Sequence, residues 1–115
     1  MRIYVAGPLS SNENTKRSPS KVVTDYIQNL HTMLWIATAI RRRGHHPYVP
    51  GLDLLLGVVS GGLEEEDYRE LGMSFLEVCD AVYVVGQSWG VEQELKRAKE
   101  LGLPVYFHLE DIPEA

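Results

Sequence analysis

Four short apolar runs, Arg2–Ala6 (RIYVA), His45–Pro50 (HHPYVP), Asp80–Gly86 (DAVYVVG) and Pro104–Leu109 (PVYFHL), alternate along the chain with segments of helical period. Strands that are apolar almost throughout, rather than at every second residue, are covered on both faces. Their alternation with helices implies a parallel sheet between two helical layers, because each parallel neighbour requires a crossover that packs on the sheet. The expected fold is a small flavodoxin-like three-layer α/β sandwich with a parallel sheet of four to five strands. Right-handed crossovers and the small number of strands favour the order 2-1-3-4. A chain of 115 residues has room for one such domain, spanning 1–115, and one core.

The segment from Lys21 to Arg43 carries Val22, Val23, Tyr26, Ile27, Leu30, Met33, Leu34, Ala37 and Ile40 at helical spacing. Arg41–Arg43 suit the negative end of its dipole, and Gly44 is a plausible stop. Trp35 and Ile36 widen the apolar stripe beyond one face, which points to a homodimer contact in so small a domain. Gly51–Gly62 (GLDLLLGVVSGG) is apolar yet glycine-rich and reads as a short helix and turn or as a mobile lid. Glu64–Cys79 is expected to be a helix with an acidic first turn and with Leu71, Phe75, Leu76 and Cys79 inward. Gly72 in its middle costs about 1 kcal/mol relative to alanine and hints at close packing or a nearby ligand. A further helix is expected over Gly90–Leu101, and the polar tail EDIPEA should end outside the core.

Composition excludes several classes. A net charge of −5 argues against a nucleic-acid polymer or an anionic membrane surface as partner, though not against a small anionic ligand. Cys79 is the single cysteine, so no internal disulfide can form and the reducing cytoplasm is the natural setting. No segment is apolar enough for a signal peptide or a membrane span. His45 and His46, adjacent on a strand, face opposite sides and cannot easily share a metal, so no metal and no other cofactor is expected. No strand is followed by G-x-G-x-x-G, and no P-loop, nucleophile elbow or zinc motif is present.

In sheets of this kind ligands bind beyond the carboxyl ends of the strands, at the switch point between strands 1 and 3. AGPLSS and GQSWGVEQE meet there. Ser88 stands at a helix N-cap, Gly90 allows a ligand close to the backbone, and free N–H groups at a helix start favour an anion such as phosphate. Glu94 lies about one turn into the helix, in one neighbourhood with Gly90, Gln93 and Arg97. Near the positive helix end it should stay ionised at neutral pH, and an ionised carboxylate beside a sugar can attack the anomeric carbon. Glu92 points elsewhere. By spacing alone this signal is weak, and an ordinary cap followed by an acidic first turn is the better account of these residues.

The motifs YVAGPL, CDAVYVV, SWGVEQELKRA and ELGLPVYF, taken together and in order, resemble the nucleoside 2-deoxyribosyltransferase superfamily, which includes the deoxyribonucleoside 5′-monophosphate N-glycosidases. The resemblance implies a dimer or larger assembly that cleaves the N-glycosidic bond of a nucleoside or nucleotide, by hydrolysis or base exchange. It puts the nucleophilic glutamate on Glu94 and the tyrosine near the reacting sugar on Tyr4. Gly7 would admit the ligand to the backbone. Ser88 matches the serine of the monophosphate hydrolases rather than the aspartate of the base-exchanging enzymes, which fits a neutral donor facing a 5′-phosphate. Trp89 and the 50–62 segment are the expected base-stacking surfaces.

Two departures from the superfamily matter. Its aspartate eight residues before the strand-3 aspartate, which assists the departing base, is Gly72 here. Substitutes would be Glu70 after a register shift, or Asp53 or the Glu64–Asp67 run with a suitable loop. Protonation of a leaving group contributes about 10²–10⁴-fold, so a chain without the acid is alternatively a non-catalytic nucleotide-binding module. Pro8 and Ser10 stand where the hydrolases have serine and arginine. Phosphate binding would then rest on backbone N–H groups with Ser10, Ser11 and Ser88, and with Lys16 or Arg17.

Overall fold

The computed structural model describes residues 1–8 and 18–115. Its elements run β1 (Arg2–Ala6), α1 (Pro19–Arg42), β2 (His46–Tyr48), α2 (Leu52–Ser60), α3 (Glu65–Leu76), β3 (Ala81–Val84), α4 (Trp89–Glu100) and β4 (Val105–Tyr106), with a 3₁₀ turn at Leu109–Asp111. The four strands form one all-parallel sheet in the order β2-β1-β3-β4. The expected flavodoxin-like architecture is present, with four strands. Among the described residues no helix is long and apolar enough to cross a membrane.

Alternation along β1 divides the core. Ile3 and Val5 pack on one side of the sheet with Met33, Ala37 and Ile40 of α1. Tyr4 and Ala6 pack on the other with Leu76, Val91 and Ala98, from the α3 and α4 side. Ser18 caps α1 by accepting from the Lys21 N–H, and Pro19 follows at the first helical position, where its missing N–H costs nothing. Glu64 and Asp67 form a reciprocal capping box at the start of α3, which gives two of the acidic residues there a structural role.

Residues 52–60 form a short helix followed by a turn, the first of the two readings of that segment. Several expectations are corrected. Phe75, expected inward, is 44% exposed, while Leu76 and Cys79 are buried. The C-terminal tail enters the core: Ile112 is buried, its carbonyl accepts from Arg43, and the Ala115 N–H donates to the Arg43 carbonyl. A single apolar residue within a polar tail is enough to seat it where a sheet edge leaves space. The first half of α1 also differs, because Val22, Val23 and Ile27 remain exposed and only Met33, Ala37 and Ile40 reach the core. His45 is buried between the Met1 amino group and the Pro113 carbonyl, and His46 is exposed, as opposite faces of a strand require.

Candidate functional site

The two turns beyond the sheet do meet. The Val85 N–H donates to the Ala6 carbonyl at 2.8 Å, and a Cβ on Gly86 would stand 3.1 Å from Cδ of Pro8. Gly7, expected to admit a ligand, has a packing role as well. A Cβ there would come within 2.8 Å of Sδ of Met33 and 3.2 Å of Cβ of Val85. Ser88 is the N-cap of α4, and its Oγ accepts from the Val91 N–H at 3.2 Å. That bond uses an oxygen lone pair and leaves the hydroxyl proton free to donate. A Cβ on Gly90 would meet only Ser88 Oγ, at 3.8 Å, so internal packing among the described residues does not require glycine there. Ser10, Ser11, Lys16 and Arg17 lie outside the described residues.

Helix α4 turns Val91, Leu95 and Ala98 towards the sheet, and Glu94 falls on the same stripe by spacing. A carboxylate at an apolar position of this kind has to be paired or neutralised. One arm of Glu94 is hydrogen-bonded to the Tyr4 hydroxyl. The other oxygen, Oε2, is buried with no hydrogen-bond partner among the described residues. Burial pushes the Glu94 carboxyl up to about 7, against a smaller lowering by the Tyr4 bond. The expectation that Glu94 is fully ionised at neutral pH is therefore corrected: desolvation outweighs the helix end. The Tyr4 hydroxyl is pushed far above the usual tyrosine range, chiefly by burial and then by Glu94, and stays neutral as a donor.

Gly72 on α3 faces this pair. A Cβ on it would lie 3.0 Å from the Tyr4 hydroxyl. The position at which the resemblance expects a second carboxylate thus adjoins the Tyr4–Glu94 bond, and it carries no side chain.

Two residues not singled out by motif complete the cluster. Tyr48, at the end of β2, has its ring centroid 5.6 Å from that of Tyr4 and stacks at 4.6 Å on Phe75 of α3. Its hydroxyl donates to Oδ2 of Asp53 at 2.5 Å. Asp53 sits in the first turn of α2, five residues beyond Tyr48, because the turn between them is held by the Tyr26 hydroxyl donating to the Gly51 carbonyl. Burial and the Asp53 bond push Tyr48 upward as well, with a smaller push from Glu94. Tyr4, Glu94, Tyr48 and Asp53 thus form one electrostatically connected group. The sequence signal for Tyr48 was slight, a lone aromatic before the Val-Pro-Gly turn.

A family model described as a domain of unknown function (DUF4406) matches residues 1–107. The chain belongs to that family. No curated protein and no solved structure matches it. The matched span of this DUF4406 domain contains the whole sheet and all four members of the cluster.

The remaining expected site residues lie apart from the cluster's chemistry. Trp89, the first residue of α4, is 54% exposed, with the Arg69 guanidinium 5.2 Å above its ring. A cation over a ring occupies one of the two faces that a base would stack on. Arg69 also lines an open depression of about 650 Å³ with Glu64, Glu65, Glu66, Glu70 and Met73, an acidic surface unsuited to phosphate. Arg97 turns away from Glu94 and pairs with Glu77 and Glu100 at 2.8 and 3.0 Å. Glu92 is exposed. Among the described residues no group of three or more His, Cys, Asp or Glu could hold a metal ion.

Proposed function

We propose that this domain cleaves the N-glycosidic bond of a nucleoside or nucleoside 5′-monophosphate, with Glu94 as the nucleophile. The observation that carries this reading is the Glu94 carboxylate packed against Tyr4 of β1, tethered by Tyr4 on one oxygen and with its other oxygen, Oε2, buried without a partner among the described residues. A buried, unpaired carboxylate oxygen weakens the fold, and a bound sugar would give it work to do. Ionised Glu94 attacks the anomeric carbon and Tyr4 orients it. Ser88 and the N–H groups at the start of α4 receive the phosphate. Water or a second base then resolves the glycosyl ester.

The test is to incubate the chain with ribo- and deoxyribonucleoside monophosphates and measure free base by chromatography. Release that rises with pH up to about 7, and that is lost in Glu94→Gln, is the expected result. Release undiminished in that variant would refute the assignment.

One observation favours a second reading, a nucleotide-binding module without turnover. It is the bare Gly72 beside Tyr4. Stabilisation by nucleotides in a thermal-shift screen, with no base released, would support this alternative over the first.

A further inference from the structure

We propose that Asp53, held by Tyr48, is the acid that protonates the departing base, relocated from the α3 position that Gly72 leaves empty. The inference rests on the glycosidic reading above and adds to it the group that reading lacks.

Three observations lead to it. First, the Tyr4 ring that tethers Glu94 neighbours the Tyr48 ring, and the Tyr48 hydroxyl donates to Asp53, so the charges of both Glu94 and Asp53 act on the Tyr4 hydroxyl. Second, a base leaving the carbon that Glu94 attacks has aromatic surface close by, because the Tyr48 ring centroid lies 5.6 Å from that of Tyr4, the tether of Glu94. Phe75, stacked on Tyr48 and 44% exposed, offers an apolar face beside the same place. Third, the Tyr48 hydroxyl occupies only Oδ2 of Asp53. That bond holds one oxygen of the carboxyl group, and Oδ1 is the oxygen left to give a proton.

The step balances as follows. An oxygen of Glu94 forms a bond to the anomeric carbon as the carbon–nitrogen bond breaks. The electron pair of that bond goes to the base nitrogen, which takes the proton from Oδ1 of Asp53. The base departs neutral, and Asp53 remains as a carboxylate accepting from Tyr48. Water then enters at the anomeric carbon, gives its proton to Asp53, and releases Glu94.

A base that already carries a positive charge needs no proton to leave. The experiment compares guanosine 5′-monophosphate with its N7-methylated form, each in ribo and deoxyribo versions, using the full chain. Asp53→Asn is expected to slow release from the unmethylated substrate by about 10²–10⁴-fold while leaving the methylated one within about tenfold of wild type. Tyr48→Phe should show the same selectivity to a smaller degree. Circular dichroism and Tm establish that both variants fold. Equal losses on both substrates, or no loss on either, would overturn the proposal. So would a wild-type chain that acts on the methylated substrate alone, because the nucleophile would then work without any acid. A wild-type chain inactive on both forms would overturn the glycosidic reading itself.

Discussion

The Tyr4 hydroxyl lies 3.0 Å from where a Cβ on Gly72 would stand, so the backbone of α3 comes as near to the candidate nucleophile's tether as glycine permits. Tyr4 is 2% exposed and bonded to Glu94, so it has little freedom to yield. Gly72→Ala ordinarily gains about 1 kcal/mol of helix propensity. Crowding a packed site costs about 1–3 kcal/mol, and here crowding should win. We expect a net loss of about 1 kcal/mol, seen as a Tm lower by about 4 °C. Displacing Tyr4 also weakens the bond that lowers the Glu94 pKa. The pH dependence of any Glu94-linked signal should then move upward. An alanine variant as stable as wild type would show that Tyr4 moves freely.

Glu94 should make stability depend on pH. Its folded-state value of about 7 exceeds the ordinary 4.5, so the folded chain holds this proton more tightly than the unfolded one. Its contribution is fully present below 4.5 and is lost as pH rises towards 7. The shift corresponds to about 3 kcal/mol. Glu94→Gln has no such proton. Burying an amide adds a cost that does not change with pH, so the informative quantity is the slope. Urea unfolding at pH 4 and pH 8 should show the variant gaining on wild type by about 3 kcal/mol between them. Parallel profiles would mean that Glu94 is solvated.

The sheet was legible because four apolar runs ended by turn residues leave few ways to arrange a parallel sheet. The cap at Ser88 was legible for the same local reason. Glu94 could be located but its charge state could not, because a helix start and a buried position push in opposite directions and only packing decides between them. The packing role of Gly7 was not legible, since glycine serves a close-packed methionine as readily as a ligand. Tyr48 escaped, and Asp53 was named only as one of several substitute acids, because their partnership depends on how β1, β2 and α2 come together, and no spacing encodes that. Ile112 escaped because a single apolar residue in a polar tail carries no period.

Self-association should run through α1. Val23, Ile27 and Trp35 are 56%, 57% and 75% exposed, and the His31 ring stacks on Trp35 at 6.4 Å. Large apolar side chains gathered on one helix face are the usual material of a contact between copies. Trp35→Asp is expected to leave Tm within about 1 kcal/mol equivalent of the wild-type monomer and to shift sedimentation towards the monomer. A wild-type chain that sediments as a monomer at every concentration would count against this surface.

Ser88 has two separable tasks. Ser88→Ala removes the acceptor for the Val91 N–H and should cost about 1 kcal/mol of stability. Ser88→Asp keeps an acceptor at the cap and adds a charge that suits the helix start, so the fold should be as stable as wild type or slightly more so. The same charge would face a bound 5′-phosphate. If α4 receives that phosphate, Ser88→Asp weakens binding of a nucleoside monophosphate while binding of the nucleoside is unchanged or improved. Calorimetric titration of both ligands against both variants separates the tasks. Equal affinity of Ser88→Asp and wild type for the monophosphate would mean that the anion binds elsewhere and that Ser88 is a cap alone.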